Sequence, residues 1–197
     1  VAPTIDVNAA LDIARSALSA QRLRHSLGVA EVAARLARQH GADPERAQVA
    51  GLLHDYARDL GGARLLGLAA AEGLLTEQVE EWLPDLLHGP VGAWLLRAER
   101  GVRDEAVLSA IAKHTLADPV MSPLDKIVYL ADMIEPGREY PGREEIAVMA
   151  SCDLDAALLA GLDTTIRYCL ERKRYLHPRT VVARNHLLRT LPSGRGV

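Results

Sequence analysis

Apolar residues recur at three- and four-residue intervals along most of the chain. No stretch alternates apolar and polar for long, so the pattern predicts helices rather than strands. Residues 7–18 predict an amphipathic helix with Leu11, Ala14 and Leu18 on one stripe. A second runs from about Gln21 to Gln39 through Leu23, Leu27, Ala30, Ala34 and Ala37, and Gly41 fits just past its end. Asp43-Pro44-Glu45 predicts the next start, because Asp43 can cap free amides and Pro44 needs no N–H partner in a first turn. That helix is expected to continue through His54 to about Arg58, before Gly61-Gly62 interrupts the chain. Less regular helices are expected over 63–71 and 77–83, one opening at Gly89-Pro90, and one over 104–114. Ser122-Pro123-Leu124-Asp125 reads as a capping box that starts a helix ending near Ile134. Beyond a loop bracketed by Pro136-Gly137 and Pro141-Gly142, the four-residue steps of Leu154, Leu158, Leu162, Ile166 and Leu170 mark a long helix. His177-Pro178 ends it, a last helix carries Val182 to Leu188, and residues 191–197 read as a frayed end.

Composition agrees with an all-α fold. There is no Phe and aromatics make up 4% of the 197 residues, so the core must be Leu, Ala, Val and Ile; Leu and Ala are strong helix formers. Trp82 and Trp94 are expected to serve packing. The length suits one domain over 1–197, with a core at about 20–135 and C-terminal helices at about 143–190 packed on it. A net charge of −3 without a Lys/Arg block argues against nucleic-acid binding through a basic face. A polyanionic small molecule would then need local cations, which metal ions can supply. Cys152 and Cys169 lack a Cys-x-x-Cys spacing and read as small buried residues of a reducing compartment. No apolar run reaches the roughly 20 residues of a membrane span, no signal peptide opens the chain, and Val1 in place of Met fits a trimmed end. The expected location is the cytoplasm, without a membrane partner.

The chemistry concentrates in histidine and aspartate. His54-Asp55 follows Gly51-Leu52-Leu53 at the end of an apolar helix, and adjacent helical positions point about 100° apart. Such a pair can flank one metal, or let the aspartate bridge two, with ligand types that suit zinc, iron and manganese. His25 lies on the preceding helix, and Asp132 ends the apolar run Tyr129-Leu130-Ala131-Asp132, where a lone carboxylate would be costly to bury. His88 stands at the mouth of one helix and His114 at the end of another.

The order His25, His54-Asp55, Asp132 resembles the HD superfamily of metal-dependent phosphohydrolases. Longer strings narrow the likeness: Arg24-His25-Ser26, Gly51 to Arg58, Leu87-His88-Gly89-Pro90, Lys113-His114-Thr115, Asp125 to Arg138 and His177 to Asn185 are similar to the bacterial YqeK-type HD family. That resemblance covers about residues 10–190 and implies an HD-domain helical bundle. It implies symmetrical hydrolysis of diadenosine tetraphosphate to two ADP by a metal-bound hydroxide. It also implies two metal ions, with iron expected and manganese, cobalt or zinc as alternatives. One ion is expected on His25, His54, Asp55 and Asp132, and the second on Asp55, His88 and His114.

Arg58 stands where relatives often carry Lys. It is a candidate cation for phosphate, expected on the face of His54 at i and i+4. Arg138, after the turn at Pro136-Gly137, and Lys126, six residues before Asp132 and on another face, are further catalytic candidates beside Asp55. The resemblance implies substrate contacts from Arg24, His25, Arg58, His114, Thr115 and Arg138, and from the loop Tyr175, Leu176, His177, Pro178, Arg179 and Thr180, which is similar to the family's nucleotide-contacting loop. The small-molecule partner would be a dinucleoside polyphosphate or ADP; a homodimer stays open. Two rival readings remain at this point. One is an HD phosphohydrolase acting on nucleotides or nucleoside monophosphates; the other is a non-enzymatic nucleotide sensor or assembly partner.

Overall fold

The computed structural model describes residues 5–191, which contain helices and turns and no strand. Helix α1 spans Val7–Ala17 and α2 spans Ala20–Gln39. Helix α3 covers Pro44–Leu53, α4 Gly62–Ala71, and α5 is a single turn, Val79–Trp82. Then come α6 (His88–Arg100), α7 (Glu105–Lys113) and α8 (Pro123–Ile134). Helices α9 (Arg143–Cys152), α10 (Leu154–Glu171) and α11 (Pro178–Thr190) complete the order.

The two predicted caps form: Asp43 accepts from the amides of Glu45 and Arg46, and Ser122 exchanges bonds with Asp125 in a complete capping box. At the expected helix start, Asp104 caps in the same way, accepting from the amides of Ala106 and Val107. Each such cap satisfies amides that α-helical bonding leaves over, worth about 1 kcal/mol. Helix α3 departs from expectation. It stops at Leu53, and the bonds Tyr56 N to Leu53 O and Arg58 N to Asp55 O tighten the chain into turns. The i and i+4 relation expected between His54 and Arg58 therefore does not hold, and Arg58 instead opens a 3-10 turn, Arg58–Leu60. The last helix is longer than expected, because His177 caps it and Pro178 sits in its first turn. Of the end expected to fray, residues 192–197 lie outside the described residues.

Helix α8 lies at the centre, with Leu124, Ile127, Val128, Tyr129, Leu130, Ala131 and Ile134 all buried. It contacts the earlier helices α2, α3 and α7 and the later helices α9 and α10. Fully burying one leucine or isoleucine contributes roughly 1.5–3 kcal/mol, so this helix holds the two groups together. The most extensive interface joins α2 and α3. It needs Gly51, where a Cβ would come within 2.7 Å of the Ala30 Cα. A like approach joins α6 to α7 at Gly89, whose Cβ would lie 3.0 Å from the Ala112 carbonyl. Both contacts bring the ends of these helices, with their histidines, to one place.

Two packing expectations are corrected. Cys152 is exposed, not buried, and Cys169 is half-buried. Trp94 packs against the core, but Trp82 is 53% exposed because its one-turn helix presents it outward.

Candidate metal centre and cleft

His25 of α2, His54 and Asp55 after α3, His88 opening α6, His114 closing α7 and Asp132 of α8 converge, and all of them except the fully buried His54 line one cleft of about 1250 Å³. His54, His88 and His114 are held alike. Each ring presents Nδ1 to the carbonyl three residues earlier: Gly51 at 2.7 Å, Asp85 at 2.6 Å and Ile111 at 2.7 Å. A carbonyl only accepts, so Nδ1 carries the proton and Nε2 keeps its lone pair.

Those three lone pairs point inward at more acceptors. His88 Nε2 lies 2.9 Å from His114 Nε2 and 3.2 Å from Asp55 Oδ1. His114 Nε2 is 4.0 Å from the same oxygen. His54 Nε2 is 3.7 Å from Asp55 Oδ2 and 3.9 Å from Asp132 Oδ1, fully buried and without a hydrogen-bond partner. Thr115 Oγ1 is 3.2 Å from the Nε2 atoms of both His88 and His114, yet has one proton to give. A buried pocket crowded with acceptors and short of donors is unfavourable unless a cation sits among them. Two ligands about 2.1 Å from one ion at near-tetrahedral angles lie ~3.4 Å apart, inside the observed span. Overlapping ligand triads exist: His25, His54 and Asp55; His54, His114 and Asp132; Asp55, His88 and His114. Asp55 belongs to two of them. The residues present fit metal.

The electrostatics agree. Burial, with His88 and His54 nearby, pushes the His114 ring down to about 3, and burial lowers His54 too, so both stay neutral and able to ligate. Burial works against ionised Asp55; protonated, His88 first and then His54 and His114 would outweigh it and hold the carboxyl well below the usual range, and with those rings neutral a cation is what takes over that role. Burial likewise opposes ionised Asp132, and His25, His54 and Arg138 outweigh it. His25 differs: burial disfavours its charge, but Asp132 at 2.9 Å and Glu135 at 3.0 Å raise it above an ordinary histidine. Such a ring must release its Nε2 proton to take a metal.

Glu135 was not among the residues expected from sequence. It is buried, its Oε1 faces His25 Nδ1 and its Oε2 accepts from the Gly137 amide at 2.7 Å. Room for it comes from Gly28, where a Cβ would meet Oε2 at 2.9 Å. A carboxylate behind a ligating imidazole fixes its tautomer and raises its basicity. Glu135→Gln is expected to keep the fold and weaken metal affinity about 10- to 100-fold, measured by competition with a chelator. Unchanged affinity would leave Glu135 only the task of holding its own turn.

Arg22 was also missed. Its Nη1 lies 3.2 Å from Asp55 Oδ2 and its Nε 2.6 Å from Asp59 Oδ1. The signal was there: three residues before His25, it shares that residue's helix face. Arg58 donates from Nη1 to the Asp85 carbonyl at 2.8 Å, beside His88. Arg138 pairs with Asp132 and stands 3.4 Å from His25 Nε2. Arg24 and Thr115 also line the cleft.

Lys126 does not reach the site. It pairs with Asp155 on another face and lines a separate small cavity, as its six-residue offset from Asp132 requires. The expected loop contacts divide. Tyr175, Leu176, His177 and Thr180 line the cleft, whereas Pro178 and Arg179 do not. Pro178 occupies the first turn of α11, and Arg179 reaches the Thr76 hydroxyl at 3.3 Å. His177 has both ring nitrogens engaged: Nδ1 accepts from the Arg179 amide, and Nε2 donates to buried Glu80 at 3.1 Å. The Thr180 hydroxyl donates to the Leu116 carbonyl at 3.1 Å. Both residues anchor the wall; the His177 nitrogens are both spent in doing so, and the Thr180 hydroxyl has given its proton.

A helical bundle that gathers histidines and aspartates from five segments around a buried cation site defines a metal-dependent helical protein. A family model described as the HD domain matches residues 22–137, and the chain belongs to that family. A protein of Halalkalibacterium halodurans named symmetrical bis(5'-nucleosyl)-tetraphosphatase is 40% identical, over 91% of this chain and 95% of its own. One of the same name from Bacillus subtilis is 35% identical, over 91% and 96%. A crystal structure of a predicted HD superfamily hydrolase involved in NAD metabolism from Clostridium acetobutylicum superimposes with a TM-score of 0.89 at 39% identity, covering 95% of this chain and 99% of that one. These likenesses bear out the family read from the local strings, and with it the all-helical fold and divalent-metal dependence.

Proposed function

We propose that this chain is a hydrolase that cleaves diadenosine tetraphosphate symmetrically into two ADP. The observation that carries the reading is the acceptor-crowded centre of His54, His88, His114, Asp55 and Asp132 opening into a cleft of about 1250 Å³ flanked by Arg22, Arg58 and Arg138. Typical small-molecule pockets are about 300–1,000 Å³, so the space suits a two-nucleoside substrate better than a monophosphate. The relatives named as symmetrical tetraphosphatases support the same reading.

His25, His54, Asp55 and Asp132 would hold one ion and Asp55, His88 and His114 a second, Asp55 bridging. Bound there, divalent ions supply Lewis acidity, which acidifies water and neutralises phosphoryl oxygens. The ligand set suits iron, manganese, cobalt or zinc, and iron is the metal we assign; elemental analysis of protein purified without added metal tests it. Asp55 and Asp132, kept ionised, balance the positive charge. Arg58, fixed by the Asp85 carbonyl, lines the cleft, where its remaining N–H groups would meet an inner phosphate. Arg138 and Arg22 offer cations beside Asp132 and Asp55. Water adds to an inner phosphorus, the bond to the central bridging oxygen breaks, and ADP departs as a stable anion that needs no strong general acid.

No described helix is long and apolar enough to cross a membrane, and a nucleotide substrate fits a cytoplasmic enzyme. The test is product analysis with diadenosine tetraphosphate and metal-loaded protein, where ADP alone is expected. ATP with AMP would overturn symmetrical cleavage. Phosphate released preferentially from monophosphates would favour the other HD chemistry, and no turnover of any nucleotide would favour a sensor.

A further inference from the structure

Lys113 stands directly before the ligand His114, yet its side chain does not line the cleft. Its Nζ donates to the Val120 carbonyl at 2.8 Å and to Asp125 Oδ2 at 3.2 Å. Asp125 is buried. The same Oδ2 accepts from the Ser122 amide at 2.8 Å, while Oδ1 has no hydrogen-bond partner. A capping box needs only an acceptor at this position. A carboxylate buried with one bare oxygen is costly, and among the described residues Lys113 is the cation paired with it. Capping alone therefore does not account for Asp125.

Asp125 and Asp132 stand two helical turns apart on α8 and so share a face. The end of α7 meets that face at two points about 10 Å apart: Lys113 on Asp125, and His114, whose ring offers a ligand atom within 4.8 Å of one from Asp132. Apolar packing between the two helices is non-directional and lets one slide on the other. Two polar contacts fix both height and rotation. The His114 ring follows its helix, because its Nδ1 is tied to the Ile111 carbonyl of α7.

The loop from α7 to α8 is held to the same geometry at a cost. Ala117 is fully buried with φ +61°, a left-handed conformation that a Cβ disfavours. Its amide bonds to the Lys113 carbonyl at 2.9 Å, and Lys113 Nζ holds the Val120 carbonyl beyond it. Such strain persists only where the surroundings over-determine the backbone, and here Lys113 grips the loop on both sides of the strained residue.

We infer that Lys113 and Asp125 are positioning residues of the metal centre. Their ion pair sets α7 against α8 and so fixes His114, a ligand to the second ion, against Asp132, a ligand to the first. The inference rests on the two-ion reading of the site. Neither residue touches metal or substrate; each acts through the ligand on its own helix.

The test is titration of metal-free protein with manganese(II), followed by calorimetry and by electron paramagnetic resonance. The parent is expected to bind two ions as a spin-coupled pair. Lys113→Met is expected to bind the first ion with near-parental affinity and the second roughly 10- to 100-fold more weakly, the effect of losing a group that orients a ligand. Its spectrum should then show isolated ions at concentrations where the parent shows the pair. Lys113→Arg restores the cation and is expected to recover the coupled spectrum. Asp125→Asn keeps an acceptor for the Ser122 amide and loses the charge, so it should behave as Lys113→Met does, and it decides the matter if that variant fails to fold. Parental affinity and coupling in both neutral variants would overturn the inference. So would equal weakening of both ions together with a lowered melting temperature, the mark of an ion pair that serves stability alone. A parent that binds a single ion would overturn the two-ion reading; the positioning role would then stand only if Lys113→Met weakened that ion and Lys113→Arg restored it.

Discussion

Asp55→Asn is expected to remove metal and turnover together, with activity down on the order of 10³-fold or more and metal content falling well below that of the parent. Asp55 is the group on which the centre turns. Its Oδ1 faces His88 and His114, its Oδ2 faces His54 and Arg22, and it belongs to two of the three ligand triads. Asparagine keeps the shape but loses the charge, and its amide can donate to a neighbouring Nε2. The substitution therefore relieves the crowding of acceptors that favours a cation. Metal-free Asp55→Asn is expected to melt no lower than the metal-free parent, whereas the parent alone should gain stability when metal is added. Elemental analysis, thermal unfolding with and without metal, and product assay decide the matter. Full metal content with parental turnover would remove Asp55 from the centre. His54→Ala should lose the same functions, but it also empties a fully buried ring's volume, so Asp55→Asn is the cleaner comparison.

The sequence made the ligands legible because their signals are local. His54-Asp55 sits in an apolar run, and Asp132 ends a capped, almost wholly buried helix. The helix starts at Asp43, Asp104 and Ser122 were equally legible, since a cap and its amides are neighbours along the chain. What could not be read depends on distant partners. Glu135 acquires its meaning from His25, 110 residues away, and from the space left by Gly28. The early end of α3 has no breaker residue behind it: Leu53 to Arg58 form turns whose side chains are held by elements far along the sequence. Lys126 shows the reverse fault, because a six-residue offset rotates it about 240° from Asp132, and helical geometry alone argued against it. Packing is the ordinary expectation for a tryptophan; it holds for Trp94 in the long helix α6 and fails for Trp82, which a single turn presents outward.

Arg58→Ala is expected to keep the metals and lose roughly 10²- to 10³-fold in kcat, the usual effect of removing one fixed group that stabilises transition-state charge. The separation of the two effects follows from where Arg58 is tethered. Its Nη1 bonds to the Asp85 carbonyl, the same oxygen that receives His88 Nδ1, so the guanidinium is fixed beside a metal ligand without being one. The histidine keeps its own bond to that carbonyl when the arginine is gone. Arg58→Lys then distinguishes charge from shape. Lysine restores a point charge but not the planar fork that can grip two phosphoryl oxygens at once, so recovery of part of the rate is expected. Loss of metal in Arg58→Ala would instead make the residue a support for His88. Unchanged kcat would leave it no part in the reaction, and the positive charge at the phosphate would have to come from Arg22 or Arg138.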